Sequence, residues 1–301
     1  MSPIILVTGA TGFVGRHLVQ ALRAKGYQIR ALVRDSAKAD ALRALGCEIA
    51  SGDVTDISSL EKSMQGVDVV YHLVGIRREI GRQSFESVNT HGTKNVVDAM
   101  IKANLRRLIF VSIVKADPTS HSRYLRSKWF AEEAIRESSL SSTIFRSAVI
   151  YGEGGEGFTT LVNMVRNAPI VPVVGNGLYK MQPLFVGDLV ECLVRALDNE
   201  ETSKRLYEIG GPETMTFNEV LRAIGETYGK RTRLLHQPAF LVKPFLGIME
   251  KLLPKPLLTR DELELLFVDT ICDVQEAKRV FGQPSTALKE GLLKAFPPQT
   301  K

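Results

Sequence analysis

The sequence predicts an α/β fold in which a doubly wound parallel sheet is joined to a smaller C-terminal lobe. A short apolar strand at the start of the chain runs directly into a glycine-rich turn and a helix, and strands and helices then alternate as far as residue 150. Such alternation is typical of a parallel sheet with right-handed crossover connections. From Tyr151 the pattern changes to loops rich in glycine and proline, which indicates the second lobe.

The first strand and its turn carry the strongest local pattern. Residues 4–7 form a continuous apolar run, as expected of a strand covered on both faces of a parallel sheet. The glycines that follow have no Cβ atoms, so they let the backbone approach a pyrophosphate at the positive end of the next helix. A tight turn that binds nothing needs the same glycines, so this pattern alone leaves both interpretations open. The residues expected to line the pyrophosphate are Gly9, Thr11, Gly12, Phe13, Val14 and Gly15.

The other elements of the first half follow in order. Further strands are predicted at 28–33, 48–50, 67–73, 105–112 and 142–150, and helices at 36–45, 85–102 and 124–137. This alternation assigns residues 1–150 to a Rossmann-type core that binds a dinucleotide. Residues 151–301 are expected to interleave further core elements with a small lobe that faces the substrate, without a clean division in the sequence.

Composition excludes several classes of protein. The chain has 301 residues, 44% of them hydrophobic, which describes a globular rather than a disordered protein. Three distant cysteines and five histidines without metal-ligand spacing predict neither a disulfide framework nor a metal site. The formal net charge is +6, but the basic residues are dispersed and no recognition motif accompanies them, which argues against nucleic-acid binding. Because the first strand begins almost at Met1, no signal peptide is expected and a cytoplasmic location is predicted.

The residue after the second strand bears on the choice of cofactor. An acidic side chain there would accept hydrogen bonds from a free ribose 2′-hydroxyl, but the residue is Arg34. An arginine would instead pair with a 2′-phosphate through its planar donor fork, with Lys38 and Arg16 as supporting charges. This favours NADP(H), while the adjacent Asp35 keeps NAD(H) open as the lesser alternative.

Two further strand ends are expected to touch the cofactor. After the third strand, Asp53 is placed to accept from the adenine amino group while Val54 packs beside the ring. After the fourth strand, the residues expected to contact the cofactor are Leu73, Val74 and Gly75. Gly75 is small, so the backbone there can pass close to the ribose and pyrophosphate. His72 is interpreted as an internal strand residue and not as a catalytic base.

A tyrosine and a lysine one helical turn apart are the predicted reaction site. Ser112 ends the fifth strand, and Tyr124 and Lys128 follow at the start of the next helix. Positions four apart share one helix face, so we expect the lysine charge to lower the tyrosine pKa and to bind the nicotinamide ribose. Tyr124 would then serve as general acid/base while Ser112 orients the substrate oxygen.

As a set, these motifs resemble the extended and atypical branches of the short-chain dehydrogenase/reductase superfamily. The motifs of the family occur here in the same order along the chain. They are the turns at 9–15 and 52–56, the stretch 88–93, Ser112, the Tyr-x-x-x-Lys pair, and the segments 145–152 and 182–188. The resemblance implies further cofactor contacts at Asn89 and Ala148. Residues 116–128 and the tail at 253–263 are most similar to the atypical subgroup that includes the dehydrogenase-fold accessory subunit of respiratory complex I.

The chain departs from the family pattern on the substrate side. Ser147 stands where proline is usual, and Phe185 stands where the family has histidine in its His-Val-x-Asp segment. No asparagine follows the arginine-containing strand as in sugar-nucleotide epimerases, so nucleotide-sugar epimerase or dehydratase chemistry is a lesser interpretation.

Two functions of different kinds therefore stay open from the sequence. The first is an NADP(H)-dependent oxidoreductase that transfers hydride to or from a carbonyl or conjugated double bond of a small-molecule substrate. The second is a catalytically silent, cofactor-binding accessory, assembly or redox-sensing protein of a larger, membrane-associated complex. An apolar helical stripe within 239–258 supports this second function. Charged residues and a proline interrupt the stripe too often for it to span a membrane, but it suits peripheral contact with a membrane or a protein. Substrate and oligomeric state are not readable.

Overall fold

The computed structural model describes residues 3–242, 244, 246 and 259–298, which fall into two compact units. Unit 1 comprises the chain up to Ser147 together with Leu189–Glu208 and Gln275–Gly282. Unit 2 comprises Ala148–Asp188, Ile209–Val274 and the residues from Gln283 onward. The chain therefore returns to unit 1 twice after first leaving it.

A seven-stranded sheet forms the centre of unit 1 and confirms the predicted doubly wound α/β fold. Its strands are β1 (Ile4–Thr8), β2 (Gln28–Val33), β3 (Glu48–Ser51), β4 (Val69–His72), β5 (Arg107–Ile113), β6 (Ser141–Ser147) and β11 (Arg205–Ile209). Their order is β11-β6-β5-β4-β1-β2-β3, and the five pairings among β1 to β6 are parallel. The chain order reverses between β1 and β4, and ligands bind open α/β sheets beyond the carboxyl ends of the strands at such a point.

Helices follow the strands of unit 1 in the predicted alternation. They are α1 (Phe13–Ala24), α2 (Asp40–Ala44), α3 (Ile57–Ser63), α4 (Gly92–Lys102), α5 (Arg123–Arg136), α7 (Val186–Leu197, which begins in unit 2) and α10 (Gln275–Phe281). Wider helical turns at Glu86–His91 lead into α4. The helix predicted at 36–45 is in two pieces, a short turn at Ser36–Lys38 and α2.

Apolar packing holds the helices of unit 1 against its sheet. The first strand is covered on both faces as predicted, since Ile5, Leu6 and Val7 are completely buried. One continuous core joins the sheet to α3, α4 and α5, with Leu60, Met100 and Ile135 among its members. Burial of such side chains contributes roughly 1.5–3 kcal/mol each, so the helices are fixed against the sheet that positions the strand ends.

Unit 2 is built from two-stranded pieces and helices around a core of its own. Its strands are β7 (Ile150–Tyr151), β8 (Val171–Val174), β9 (Lys180–Met181), β10 (Leu184–Phe185), β12 (Met215–Thr216) and β13 (Leu234–Gln237), and its helices α6 (Glu156–Asn167), α8 (Phe217–Thr227), α9 (Arg260–Leu266) and α11 (Leu288–Ala295). The pairs β7·β10 and β8·β13 are parallel, and β9·β12 is antiparallel. The strand predicted at 142–150 ends at Ser147, because Ile150 and Tyr151 pair with β10 instead.

Both α8 and α9 begin with reciprocal caps in which a threonine hydroxyl and a glutamate side chain exchange hydrogen bonds with the backbone, at Thr216 with Glu219 and at Thr259 with Glu262. Most of the apolar stripe predicted within 239–258 lies outside the described residues, including Phe245, Ile248, Met249 and Leu252.

Candidate functional site

The glycine turn after β1 has the geometry that a bound pyrophosphate requires. Gly9 has φ +77°, and a Cβ atom there would lie 2.9 Å from the backbone of Leu73 and Val74. A Cβ at Gly15 would lie 2.1 Å from the Gly9 carbonyl oxygen. Only glycine therefore fits at either position, and the turn after β1 is held directly against the end of β4.

The first turn of α1 is open to an anion. Gly12 precedes the helix, no side chain caps it, and no acidic residue lies in its first turn. Thr11 and Gly12 are exposed, and Phe13 and Val14 are half-buried. Free backbone N–H groups at a positive helix end favour a phosphate group. The predicted pyrophosphate residues thus fit a dinucleotide.

At the ends of β2 and β3, Arg34 lies opposite Asp53. One guanidinium nitrogen of Arg34 is 3.7 Å from a carboxylate oxygen of Asp53, and both side chains are partly exposed. The other oxygen of Asp53 accepts from the backbone and hydroxyl of Thr55. Val54 is buried, and Lys38 is exposed without an ion-pair partner among the described residues. The structure therefore brings Arg34 and Asp53 together but does not bring Lys38 to them.

Asn89 holds the loop after β4 against α5. Its side-chain oxygen accepts from Ile76 N at 2.8 Å, and its nitrogen donates to Ile76 O and to the Ser127 hydroxyl. The position of a Cβ at Gly75 lies 3.7 Å from both the Asn89 oxygen and the Lys128 ammonium. Asn89 thus places Gly75 beside Lys128, while its predicted direct contact with the cofactor stays a prediction.

Tyr124 and Lys128 are both buried on α5. The Lys128 ammonium donates to the Val111 carbonyl at 2.9 Å and lies 4.2 Å from the centre of the Phe110 ring. Burial lowers the pKa of Lys128 to about 8, and the nearby charge of Glu132 opposes that shift. A lysine in this state is charged at neutral pH and loses its proton in mild base.

The expected lowering of the Tyr124 pKa is wrong for this structure. Its ring packs against Phe85 with the centroids 5.7 Å apart, and burial raises the pKa of its hydroxyl, with Arg77 acting in the opposite direction. Lys128 has turned to the Val111 carbonyl and makes no hydrogen bond to Tyr124 among the described residues. Desolvation therefore outweighs nearby positive charge, and the phenol is protonated at neutral pH.

Ser112 makes a contact that the sequence interpretation missed. Its hydroxyl donates to Glu132 at 2.5 Å, and Glu132 is completely buried between Arg146 and Arg136, at 2.7 Å and 2.8 Å. Two guanidinium partners favour the ionised carboxylate, which can only accept hydrogen bonds. The Ser112 proton is thus committed to Glu132, so the hydroxyl cannot donate to the substrate oxygen that it was expected to orient. The position of Glu132 four residues after Lys128 was the available sequence signal.

His72 is a completely buried strand residue, as predicted, and stands at the last position of β4. Its ring nitrogens lie 2.7 Å from the Thr8 hydroxyl and 3.0 Å from the Thr93 hydroxyl, and the ring stacks on Phe110. Burial lowers the pKa of His72 to about 3, and the charge of Lys128 acts in the same direction. The imidazole is therefore neutral and ties β1, β4 and α4 together beneath the site.

Both departures from the family pattern have local explanations. The hydroxyl of Ser147 donates to the Ser112 carbonyl at 3.1 Å, a bond that proline cannot make. In unit 2, the ring of Phe185 packs against Tyr151 with the centroids 5.7 Å apart, and Asp188 accepts from the backbone and hydroxyl of Thr286. Ala148, a predicted cofactor contact, is buried in unit 2, where its N–H donates to the Ile209 carbonyl.

The described residues contain no metal-binding group of three or more His, Cys, Asp or Glu side chains. In the same part of the chain, every helix is too short or too polar to cross a bilayer. The three cysteines are buried and form no disulfide with one another.

The sequence of the chain matches a known family and curated relatives. Residues 9–167 match the family model described as NAD(P)H-binding. The chain is 30% identical over 277 residues to the NADH-ubiquinone oxidoreductase 40 kDa subunit, mitochondrial, of Neurospora crassa, covering 90% of this chain and 72% of that protein. It is 29% identical over 237 residues to the ceramide reductase of Caulobacter vibrioides, covering 78% and 74%.

The fold is shared with a solved enzyme of lower sequence identity. The UDP-glucuronic acid 4-epimerase from Bacillus cereus, solved with UDP-glucuronic acid and NAD, superposes with a TM-score of 0.75 at 20% identity over 97% of both chains. The chain therefore belongs to the NAD(P)H-binding family of atypical short-chain dehydrogenases/reductases and is homologous to the 40 kDa subunit of NADH-ubiquinone oxidoreductase.

Proposed function

We propose that this chain is an NADP(H)-dependent oxidoreductase that transfers hydride to or from a carbonyl or conjugated double bond of a small molecule. One observation carries the proposal. Tyr124 and Lys128 are buried on α5, and the Lys128 ammonium lies beside Gly75, in the loop that follows the carboxyl end of β4. Parallel α/β sheets bind their ligands at that edge, which supports a role for Tyr124 as proton donor and for Lys128 as cation beside a nicotinamide.

Tyr124 is the proposed general acid. Because burial raises its pKa, the phenol keeps its proton at neutral pH and can give it to an oxygen that gains negative charge. The bound nicotinamide supplies the hydride. Lys128 carries a positive charge below about pH 8, which favours that oxygen and a ribose hydroxyl.

Ser112 takes a positioning role in this proposal. Its hydroxyl proton is given to Glu132, so toward a substrate it can only accept a hydrogen bond. The Ser112 contact joins β5 to α5 eight residues beyond Tyr124, which fixes the helix that carries the proton donor.

The preference for NADP(H) rests on Arg34. Its guanidinium is more than half exposed and is held by Asp53 only at 3.7 Å, beyond good hydrogen-bond distance. A ribose 2′-phosphate carries up to two negative charges and can accept two hydrogen bonds from the same guanidinium. Arg34 is therefore free to turn from Asp53 to a 2′-phosphate at little cost.

The test is turnover of NADPH with a panel of carbonyl and enone compounds by the wild type and by Tyr124→Phe. We expect the variant to lose turnover by roughly 10²–10⁴-fold, the usual contribution of a positioned acid, while it binds NADPH as the wild type does. Tyr27→Phe is the matched control, since the Tyr27 hydroxyl bonds Asp198 away from the site. Equal turnover by Tyr124→Phe and wild type would contradict the assignment of Tyr124.

A second candidate is a cofactor-binding accessory subunit or assembly protein without turnover. The 30% identity to a protein named as a subunit of NADH-ubiquinone oxidoreductase favours it. A ligand stabilises a fold by mass action whether or not it reacts, so binding alone does not separate the two candidates. NADPH binding without turnover on any compound of the panel, together with copurification in a membrane complex, would replace the first candidate by this one.

A further inference from the structure

Unit 2 presents a basic and apolar surface that its fold leaves uncovered. Of the eleven large hydrophobic side chains that are exposed among the described residues, five lie in two short segments, 170–178 and 235–241. They are Ile170, Leu178, Leu235, Phe240 and Leu241. Single exposed apolar residues are ordinary, but a cluster of this size marks an interaction surface.

The two segments are neighbours in the fold. Strands β8 and β13 pair in parallel with Leu235 opposite Pro172, and both of these side chains are exposed. Val171 N donates to the Arg233 carbonyl at 2.8 Å, which brings Ile170 beside Arg233. On the opposite face, Val171 and Val173 are buried in the core of unit 2. One face of this strand pair therefore packs inward and the other points to solvent.

Phe240 lies three residues beyond the end of β13 and is also exposed. It is 71% exposed, the largest exposed fraction among the described hydrophobic side chains, and Leu241 beside it is 53% exposed. Leu241 N donates to the Pro238 carbonyl, which starts a helical turn directly after the strand. Most of this aromatic ring is therefore in contact with water, although an aromatic side chain gains most from burial.

The two stretches of chain that carry this surface are basic. Neither 157–187 nor 227–242 contains an aspartate or glutamate, and together they hold Arg166, Lys180, Lys230, Arg231 and Arg233. Asp269 accepts from the Lys180 N–H at 2.7 Å, so an acidic side chain lies beside Lys180, and the cations proposed for the surface are Arg231 and Arg233. Arg231 and Arg233 are exposed and have no ion-pair partner among the described residues. Such a surface is complementary to a dense array of negative charges.

We propose that this face of β8·β13, with Ile170, Leu235, Phe240 and Leu241 as its apolar part and Arg231 and Arg233 as its cations, docks on an anionic lipid bilayer. Protruding aromatic and aliphatic side chains flanked by arginine are the pattern of a surface that enters the headgroup region without spanning it. The arginines add attraction to anionic headgroups, and the apolar side chains lose contact with water. The site is independent of the reaction proposed for unit 1.

The test is sedimentation of the full chain with phosphatidylcholine vesicles, with and without phosphatidylglycerol. We expect binding only when phosphatidylglycerol is present, and weaker binding at high salt. The double variant Arg231→Gln/Arg233→Gln should bind roughly 25-fold more weakly, and Phe240→Ser roughly tenfold more weakly. Thermal melting should be unchanged, because all three side chains are exposed.

Matched controls come from unit 1, where Lys204→Gln/Arg205→Gln removes two adjacent exposed cations and Phe130→Ser removes an exposed ring. Both should bind vesicles as the wild type does. No binding to phosphatidylglycerol vesicles, equal binding to pure phosphatidylcholine, or equal losses in the control variants would each overturn the proposal. The assay needs no cofactor or turnover, so its failure is distinct from failure of the oxidoreductase proposal.

Discussion

The two ends of the proposed cofactor site carry the same kind of ion pair in opposite surroundings. At the adenosine end, Arg34 and Asp53 are 3.7 Å apart, with side chains that are 57% and 33% exposed. At the reaction end, Arg146 and Glu132 are 2.7 Å apart, with side chains that are 18% and 0% exposed. Water competes with the first pair and is excluded from the second.

This difference separates two tasks within one unit. The exposed pair can open for a ligand at little cost, so it suits discrimination between cofactors. The buried pair cannot open without leaving charges uncompensated, so it suits the fixed placement of α5 and of Tyr124 upon it. Each pair joins an arginine to a carboxylate, so the degree of burial decides which ion pair can open for a ligand.

Acid should lower the stability of the protein through His72, which is buried beneath the reaction end of the site. The pKa of His72 is about 3 in the fold, well below the ordinary 6.5, so the unfolded chain binds a proton between these values and the folded chain does not. Stability from this group is therefore complete above pH 6.5 and is lost as the pH falls toward 3. The loss amounts to roughly 4 to 5 kcal/mol over that range. Urea unfolding of wild type and His72→Gln across this range measures it.

His91→Gln is the matched control, because the side chain of His91 is 61% exposed. The wild type and His91→Gln should lose stability equally with acid, and His72→Gln should lose less. Three parallel curves would show that His72 is not held neutral by the fold.

A smaller effect compares the two ion pairs directly. Glu132→Gln keeps the shape of the side chain but leaves Arg146 without its carboxylate partner, while Arg136 keeps Glu133, so we expect the free energy of unfolding to fall by about 3 kcal/mol. Asp53→Asn at the exposed end should change it by about 0–1 kcal/mol. Urea denaturation at pH 7 measures both variants, and similar losses would remove the contrast between the ends.

Local patterns in the sequence were enough for the architecture. The apolar run of β1 and the glycines at 9 and 15 are decided by neighbours within a few residues, and both have the predicted geometry. The Tyr-x-x-x-Lys pair falls on one buried helix face for the same reason. Where the period of a helix or strand sets the outcome, the prediction and the structure agree.

Contacts between distant residues account for what the sequence did not predict. Glu132 meets Ser112 across 20 residues and Arg146 across 14. Its spacing of four from Lys128 places it on the same helix face, but does not reveal that it takes the serine proton. The direction of the Tyr124 pKa depends on how completely the ring is buried against Phe85, which follows only from the packed core. The basic character of the two stretches that carry the β8·β13 surface was readable, but the pairing of these stretches was not.

Titration calorimetry of NADPH and of NADH with the wild type, Arg34→Ala and Arg43→Ala tests whether Arg34 binds a 2′-phosphate. Arg43 is a half-exposed arginine of α2 paired with Asp40, and it serves as the matched control. We expect the wild type and Arg43→Ala to prefer NADPH, and Arg34→Ala to lose roughly tenfold or more in NADPH affinity with NADH affinity unchanged, as a charge-assisted phosphate contact predicts. Equal affinity of the wild type for the two cofactors, or no loss in Arg34→Ala, would contradict the account.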